Sequence, residues 1–127
     1  MDKKIVLTGA ILILLSIVLG AFGAHGLKKI IDEYGLEIFE KGTQYQMYIG
    51  ISLLTVGLSA DKLDFDLKWF YRLSTLGIII FAGFLYLLSF KSIIPEVKIA
   101  GAIVPIGGSL MIIAWCVFIF KLIKSKQ

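Results

Sequence analysis

His25 is the only histidine in 127 residues, and glycines flank it in the stretch Gly20-Ala21-Phe22-Gly23-Ala24-His25-Gly26. An imidazole can serve as a general acid or base, a metal ligand, a pH sensor or a hydrogen-bonding clasp. One histidine cannot assemble a histidine-rich metal site, and the lone Cys116 offers neither a disulfide nor a thiolate cluster within one chain. The groups placed to meet His25 are Gln44, Tyr45, Gln46 and Tyr48, which open the next apolar run. Imidazole bonded to Gln44 or Gln46 is the favoured pairing, because a polar group left unpaired beside lipid is costly. A structural clasp therefore leads, ahead of a small-molecule or lipid-headgroup site and of pH sensing.

These residues lie at the ends of long uncharged runs: Ile5 to Ala24, Thr43 to Ala60, Leu73 to Phe90 and Ile99 to Phe120. Twenty helical residues span about 30 Å, the thickness of the hydrocarbon layer. A chain of 127 residues, 58% hydrophobic with mean hydropathy +0.92, is too short to hide four such runs in a water-soluble core. The expected fold is all-α: a single-domain integral membrane bundle of four helices. A signal peptide cut near Ala21-Phe22-Gly23 is the weaker alternative, since the first run exceeds a usual signal core of roughly 7–15 residues. Lys and Arg number eight on the side of the termini and five on the other. That excess places both termini in the cytoplasm.

The linker from Gly26 to Gly42 carries Leu27, Ile30, Ile31, Tyr34, Ile38 and Phe39 near helical spacing, with charged residues between them. It reads as an amphipathic helix lying at the membrane interface between spans one and two. Gly35 is a plausible break, weakening a helix by up to about 1 kcal/mol relative to alanine. Asp66 suits the N-cap of the third helix, and Pro95 a first helical position ahead of the fourth.

No Asp, Glu, Lys, Arg or His lies in the middle of any run. Proton relays and ion-coupled transporters usually carry such groups there, so these classes recede, and so does a membrane enzyme using His25 as acid or base. No cofactor, metal or nucleic acid is expected: the basic residues sit at run ends rather than in one patch with stacking aromatics. Small residues remain. Ser16, Gly20 and Ala24 recur every fourth residue, while Gly50 with Gly57 and Gly101 with Gly108 are seven apart. Such spacing lets helix backbones approach closely. Pro105, followed by Gly107 and Gly108, marks a kink that could serve as a hinge.

Leu19-Gly20-Ala21-Phe22-Gly23-Ala24-His25-Gly26-Leu27 together with Gln44-Tyr45-Gln46-Met47-Tyr48 resembles the DUF423 family, the UPF0382 membrane proteins related to the animal transmembrane protein 256 group. The likeness extends over essentially the whole chain. It implies a four-helix protein of the bacterial inner membrane, it implies no activity, and it argues against cleavage within the first motif. Family members often have a histidine one residue after the second motif's tyrosine, where this chain has Ile49. A histidine pair across the two helices is therefore absent. The leading expectation is a non-enzymatic module in the lipid bilayer that binds a lipid, a membrane-protein partner or itself as a homo-oligomer. A small oligomeric transporter or channel for a neutral or amphipathic solute is the alternative.

Overall fold

Asp2 starts the first helix, accepting the backbone N–H groups of Lys4 and Ile5 at 3.1 and 3.2 Å. The computed structural model describes residues 1–126. Helix α1 (Lys3–Val18) widens into a π-helical turn at Leu19–Gly23 and ends in the short α2 (Ala24–Leu27). A turn leads to α3 (Glu33–Leu58), whose first turn is capped by Asp32 accepting from the Gly35 N–H at 2.8 Å. Helix α4 (Lys68–Leu88) follows a short loop, and a 3₁₀ turn opened by Pro95 leads into α5 (Ala100–Lys124). Leu67, not Asp66, holds the N-cap position of α4, while the Asp66 carboxylate accepts the Lys68 N–H at 3.2 Å.

The result is a helical membrane bundle with no strand among the described residues. Among the described residues, three segments are long and apolar enough to cross a membrane: Lys3–Leu27, Lys68–Leu88 and Pro95–Lys124. Helix α3 is not among them: its first turns hold Glu33, Glu37, Glu40 and Lys41, and the polar Gln44, Tyr45, Gln46 and Tyr48 follow within its apolar run.

The amphipathic pattern of the linker does fall on a helix, but its second part is continuous with the second apolar run. Helix α3 begins ten residues before Thr43 and passes through Gly35 unbroken. The reason is tertiary. Ile31, Ile38 and Phe39 are buried, and a Cβ on Gly35 would collide with the Ser89 carbonyl. Part of the apolar face packs on the end of α4, with the Phe39 and Tyr86 rings 5.0 Å apart, while Ile30 and Tyr34 remain exposed.

Packing proceeds in two hairpins. Helix α1 lies against α3, α4 lies against α5, and the hairpins meet through α3 and α4. Glycines set both intra-hairpin crossings. A Cβ on Gly9 would meet the Gly50 carbonyl at 2.7 Å, and one on Gly77 would meet the Gly107 carbonyl at 2.9 Å. Backbones this close gain dispersion contacts along their length, the main source of helix association in lipid. Near the end that holds the termini, Phe70, Trp115 and Phe118 stack at 5.1 to 5.5 Å between ring centres.

Candidate functional site

Gln46 is the polar centre of the interior. It is 5% exposed, its Nε2 donates to the Leu12 carbonyl at 3.0 Å, and its Oε1 accepts from the Tyr86 hydroxyl at 2.6 Å. One turn away the Ser16 hydroxyl donates to the Thr43 carbonyl at 2.7 Å, and the Thr43 hydroxyl donates to the Glu40 carbonyl at 2.8 Å. These bonds join α1, α3 and α4 at one level. Each side chain satisfies its partner, which in a low-dielectric interior makes the node a structural lock.

The clasp expected between His25 and Gln44 or Gln46 is not formed. His25 and Gln44 are exposed, and Gln46 turns inward to Leu12 and Tyr86. His25 is nine residues beyond Ser16, two and a half helical turns, and lies off the buried face that carries Ser16. The Ser16, Gly20 and Ala24 stripe does not pack as one unit. Ser16 is buried, whereas a Cβ on Gly20 would reach nothing nearer than the Thr43 hydroxyl at 3.9 Å. In the remaining pairs, Gly50 and Gly57 do lie at close approaches, with the nearest atoms of Ile13 and Val6 both 2.9 Å from an added Cβ. Gly101 and Gly108 have ordinary room, at 3.7 and 3.5 Å, and the tight position in α5 is Gly107. Helix α5 continues through Pro105, whose carbonyl accepts from the Ser109 hydroxyl at 2.8 Å.

Tyr45 and Tyr48 belong to a different feature. They line an apolar groove of about 630 Å³ between α3 and α5, together with Ile49, Phe81, Met111 and Trp115. Phe81 of α4 forms its floor, with the Tyr45 ring 4.9 Å from it. The volume lies within the usual range of small-molecule sites, roughly 300–1,000 Å³. Cys116 also lines the groove.

At the end holding the termini, exposed charges tie the loop after α3 to the end of α5. Lys121 Nζ donates to Asp66 Oδ2 at 2.9 Å, and the Ser125 hydroxyl donates to Asp64 at 2.7 Å. The Lys121 bond holds the Asp66 carboxyl below its ordinary pKa of 3.8, and the Ser125 bond does the same for Asp64. The N-terminal amine pairs with Asp61. Among the described residues no three His, Cys, Asp or Glu side chains come together as a metal site.

Residue types alone did not reveal Tyr86, Thr43 or the Leu12 carbonyl as Gln46's surroundings. Tyr86 and Gln46 were visible as polar interruptions of apolar runs. Their pairing required the register of α3 against α4.

The family model described as a protein of unknown function (DUF423) matches residues 19–108. A UPF0382 membrane protein of Staphylococcus epidermidis is 42% identical over 123 residues, 96% of this chain and 97% of the relative. One from the bovine strain RF122 of Staphylococcus aureus is 38% identical over 122 residues, again 96% and 97%. One from Staphylococcus saprophyticus is 36% identical, over 96% of this chain and 98% of its own length. No solved structure matches the chain.

Proposed function

We propose that this chain, which belongs to the DUF423 family of membrane proteins, is a non-enzymatic bilayer module that holds a lipid acyl chain in the groove between α3 and α5. In this reading the chain crosses the bacterial inner membrane four times with both termini cytoplasmic. The groove carries the proposal: about 630 Å³, walled by aromatic and aliphatic side chains, with Tyr45 and Tyr48 exposed at one end. Along α5 it runs from Gly108 to Ile119, about 16 Å at the helical rise, the length of an extended chain of about a dozen carbons. Tyrosines favour the depth where chain meets headgroup, one side wet and one apolar.

The non-catalytic half of the proposal draws on how the polar groups are engaged. Gln46, Tyr86, Ser16 and Thr43 hold one another and the backbone, and the carboxylates sit at helix ends and in loops. For the topology, the Lys and Arg excess on the side of the termini supports a cytoplasmic location. The antiparallel packing of α3 on α1 through Gly9 and Gly50 supports a crossing by α3 despite its charged first turns.

The test is native mass spectrometry of protein extracted gently from its own membrane. A reproducible lipid mass is expected, and it should fall several-fold in Gly108→Leu, since Gly108 lines the groove and an added Cβ there meets only the Phe81 ring, at 3.5 Å. A wild-type protein that carries no lipid, or equal retention by the variant, refutes the assignment.

A further inference from the structure

The two hairpins repeat one another. Gly9 faces Gly50, and each glycine also meets the residue four beyond its partner, Leu54 and Ile13. Gly77 faces Gly107 in the same way, with Met111 and Phe81 in those places. Gly9 and Gly77 are 68 residues apart, and Gly50 and Gly107 are 57 apart. The local sequences agree: Ile49-Gly50-Ile51-Ser52-Leu53-Leu54 against Ile106-Gly107-Gly108-Ser109-Leu110-Met111. Both serines donate to the carbonyl four residues back, at 2.7 and 2.8 Å. Helix α1 thus corresponds to α4, and α3 to α5.

Under that correspondence the contact between the hairpins has an unfilled counterpart. Within the chain, α3 meets α4 through Gly42 and Gln46, both against Tyr86, on a row that continues through the buried Ile49, Leu53 and Val56. Helix α4 answers with Ile78, Ala82, Leu85 and Ser89, at most 5% exposed. Both rows follow the alternating four and three spacing of a left-handed helix seam. Moved by 57, the α3 row becomes Ile99, at the N-cap of α5, and Ile103, Ile106, Leu110 and Ile113 within it, of which Ile99, Ile106 and Ile113 are 70%, 55% and 48% exposed. Moved by 68, the α4 row becomes Ala10, Leu14 and Ile17 of α1 and Ala21 of the π-helical turn after it, all exposed, Leu14 by 59%. An apolar face alone is ordinary for a helix in lipid. Two faces, each the counterpart of one side of an interface the chain already makes, specify an occupant.

We infer that α5 of one copy packs against α1 of a second copy as α3 packs against α4 within the chain. The contact is head to tail, since the two surfaces differ, and repetition closes a ring or extends a row. It does not depend on the lipid groove, which lies on the other side of α5 along Gly108, Ile112, Trp115 and Ile119. Its pairing is weaker than the internal one. The counterparts of Gln46 and Tyr86 are Ile103 and Val18, so the hydrogen bond that locks the hairpins together has no equivalent between copies.

Trans crosslinking tests this. Two differently tagged full-length chains, both carrying Cys116→Ser, are co-expressed, one with Val18→Cys and the other with Ile103→Cys, and native membranes are treated with a membrane-permeant bifunctional thiol reagent. Val18 is 44% exposed and Ile103 half-buried, so neither change opens the core. The expected product is a dimer bearing both tags, at least fivefold above that from either variant expressed alone. Dimers from one variant alone at equal yield would show a two-fold contact and overturn the inference. So would the absence of any product when both cysteines are confirmed to react with a monofunctional maleimide, or adducts only with a chain of another mass.

Discussion

The Tyr86 hydroxyl donates to Gln46 Oε1 at 2.6 Å while Gln46 Nε2 donates to the Leu12 carbonyl at 3.0 Å. One amide thereby joins the two hairpins and braces α1 at the same point. Removing either partner leaves a buried polar group unsatisfied. Tyr86→Phe and Gln46→Ala should each destabilise the protein by about 1–2 kcal/mol in detergent, with a coupling of about 1 kcal/mol in the double-mutant cycle. Strict additivity in thermal or denaturant unfolding would show that the bond is not made.

His25 makes the opposite prediction. Its side chain is exposed and takes no part in the Gln46 node, so His25→Ala should change stability by less than about 0.5 kcal/mol. A loss comparable to that of Gln46→Ala would restore the clasp.

The glycines divide by what an added methyl would touch. Gly9→Ala and Gly107→Ala drive a Cβ into the backbone of the facing helix, and each should cost at least about 2 kcal/mol or prevent folding. Gly26→Ala and Gly83→Ala enter open space, where helix propensity favours alanine by up to about 1 kcal/mol. Melting temperatures of the four variants in one detergent check the ranking, and equal behaviour would remove the close crossings.

Ser74 and Thr75 bury hydroxyls with no hydrogen-bond partner among the described residues. Ser74, 1% exposed, should therefore tolerate alanine and gain up to about 1 kcal/mol, since the desolvation cost of the hydroxyl disappears. Destabilisation by Ser74→Ala in chemical denaturation would reveal a hidden acceptor.

Acid should loosen the end that holds the termini. The pKa of Asp66 is lowered chiefly by the Lys121 hydrogen bond and that of Asp64 chiefly by Ser125. A lowered carboxyl contributes stability above its ordinary value of 3.8, and that contribution is lost as pH falls through the lowered value. Carboxyl carbon shifts in NMR should place both midpoints below 3.8, and Lys121→Met should return the Asp66 midpoint towards it. A midpoint at or above 3.8 in the wild type contradicts the pairing.

Composition and run length were enough to determine that the chain is a helical membrane bundle, because a chain this short has no water-soluble way to bury such runs. The motifs around His25 and Gln44 to Tyr48 were enough to identify the family. The sequence also contained both seams and the serine-bearing repeat, but nothing local says which face of a uniformly apolar helix meets protein and which meets lipid. Ser16, Gly20 and Ala24 look equivalent by spacing, yet only Ser16 is buried. Gly35 looks like a break, yet its N–H is capped by Asp32 in the first turn of α3, and the nearby Ser89 carbonyl leaves no room for a side chain there. Gln46 looks like a partner for His25, and its amide reaches Leu12 and Tyr86 instead. Each of these was decided by register between helices distant in sequence, where backbone approach at Gly9, Gly50, Gly77 and Gly107 selects one rotation about each helix axis and thereby the neighbours of every polar side chain.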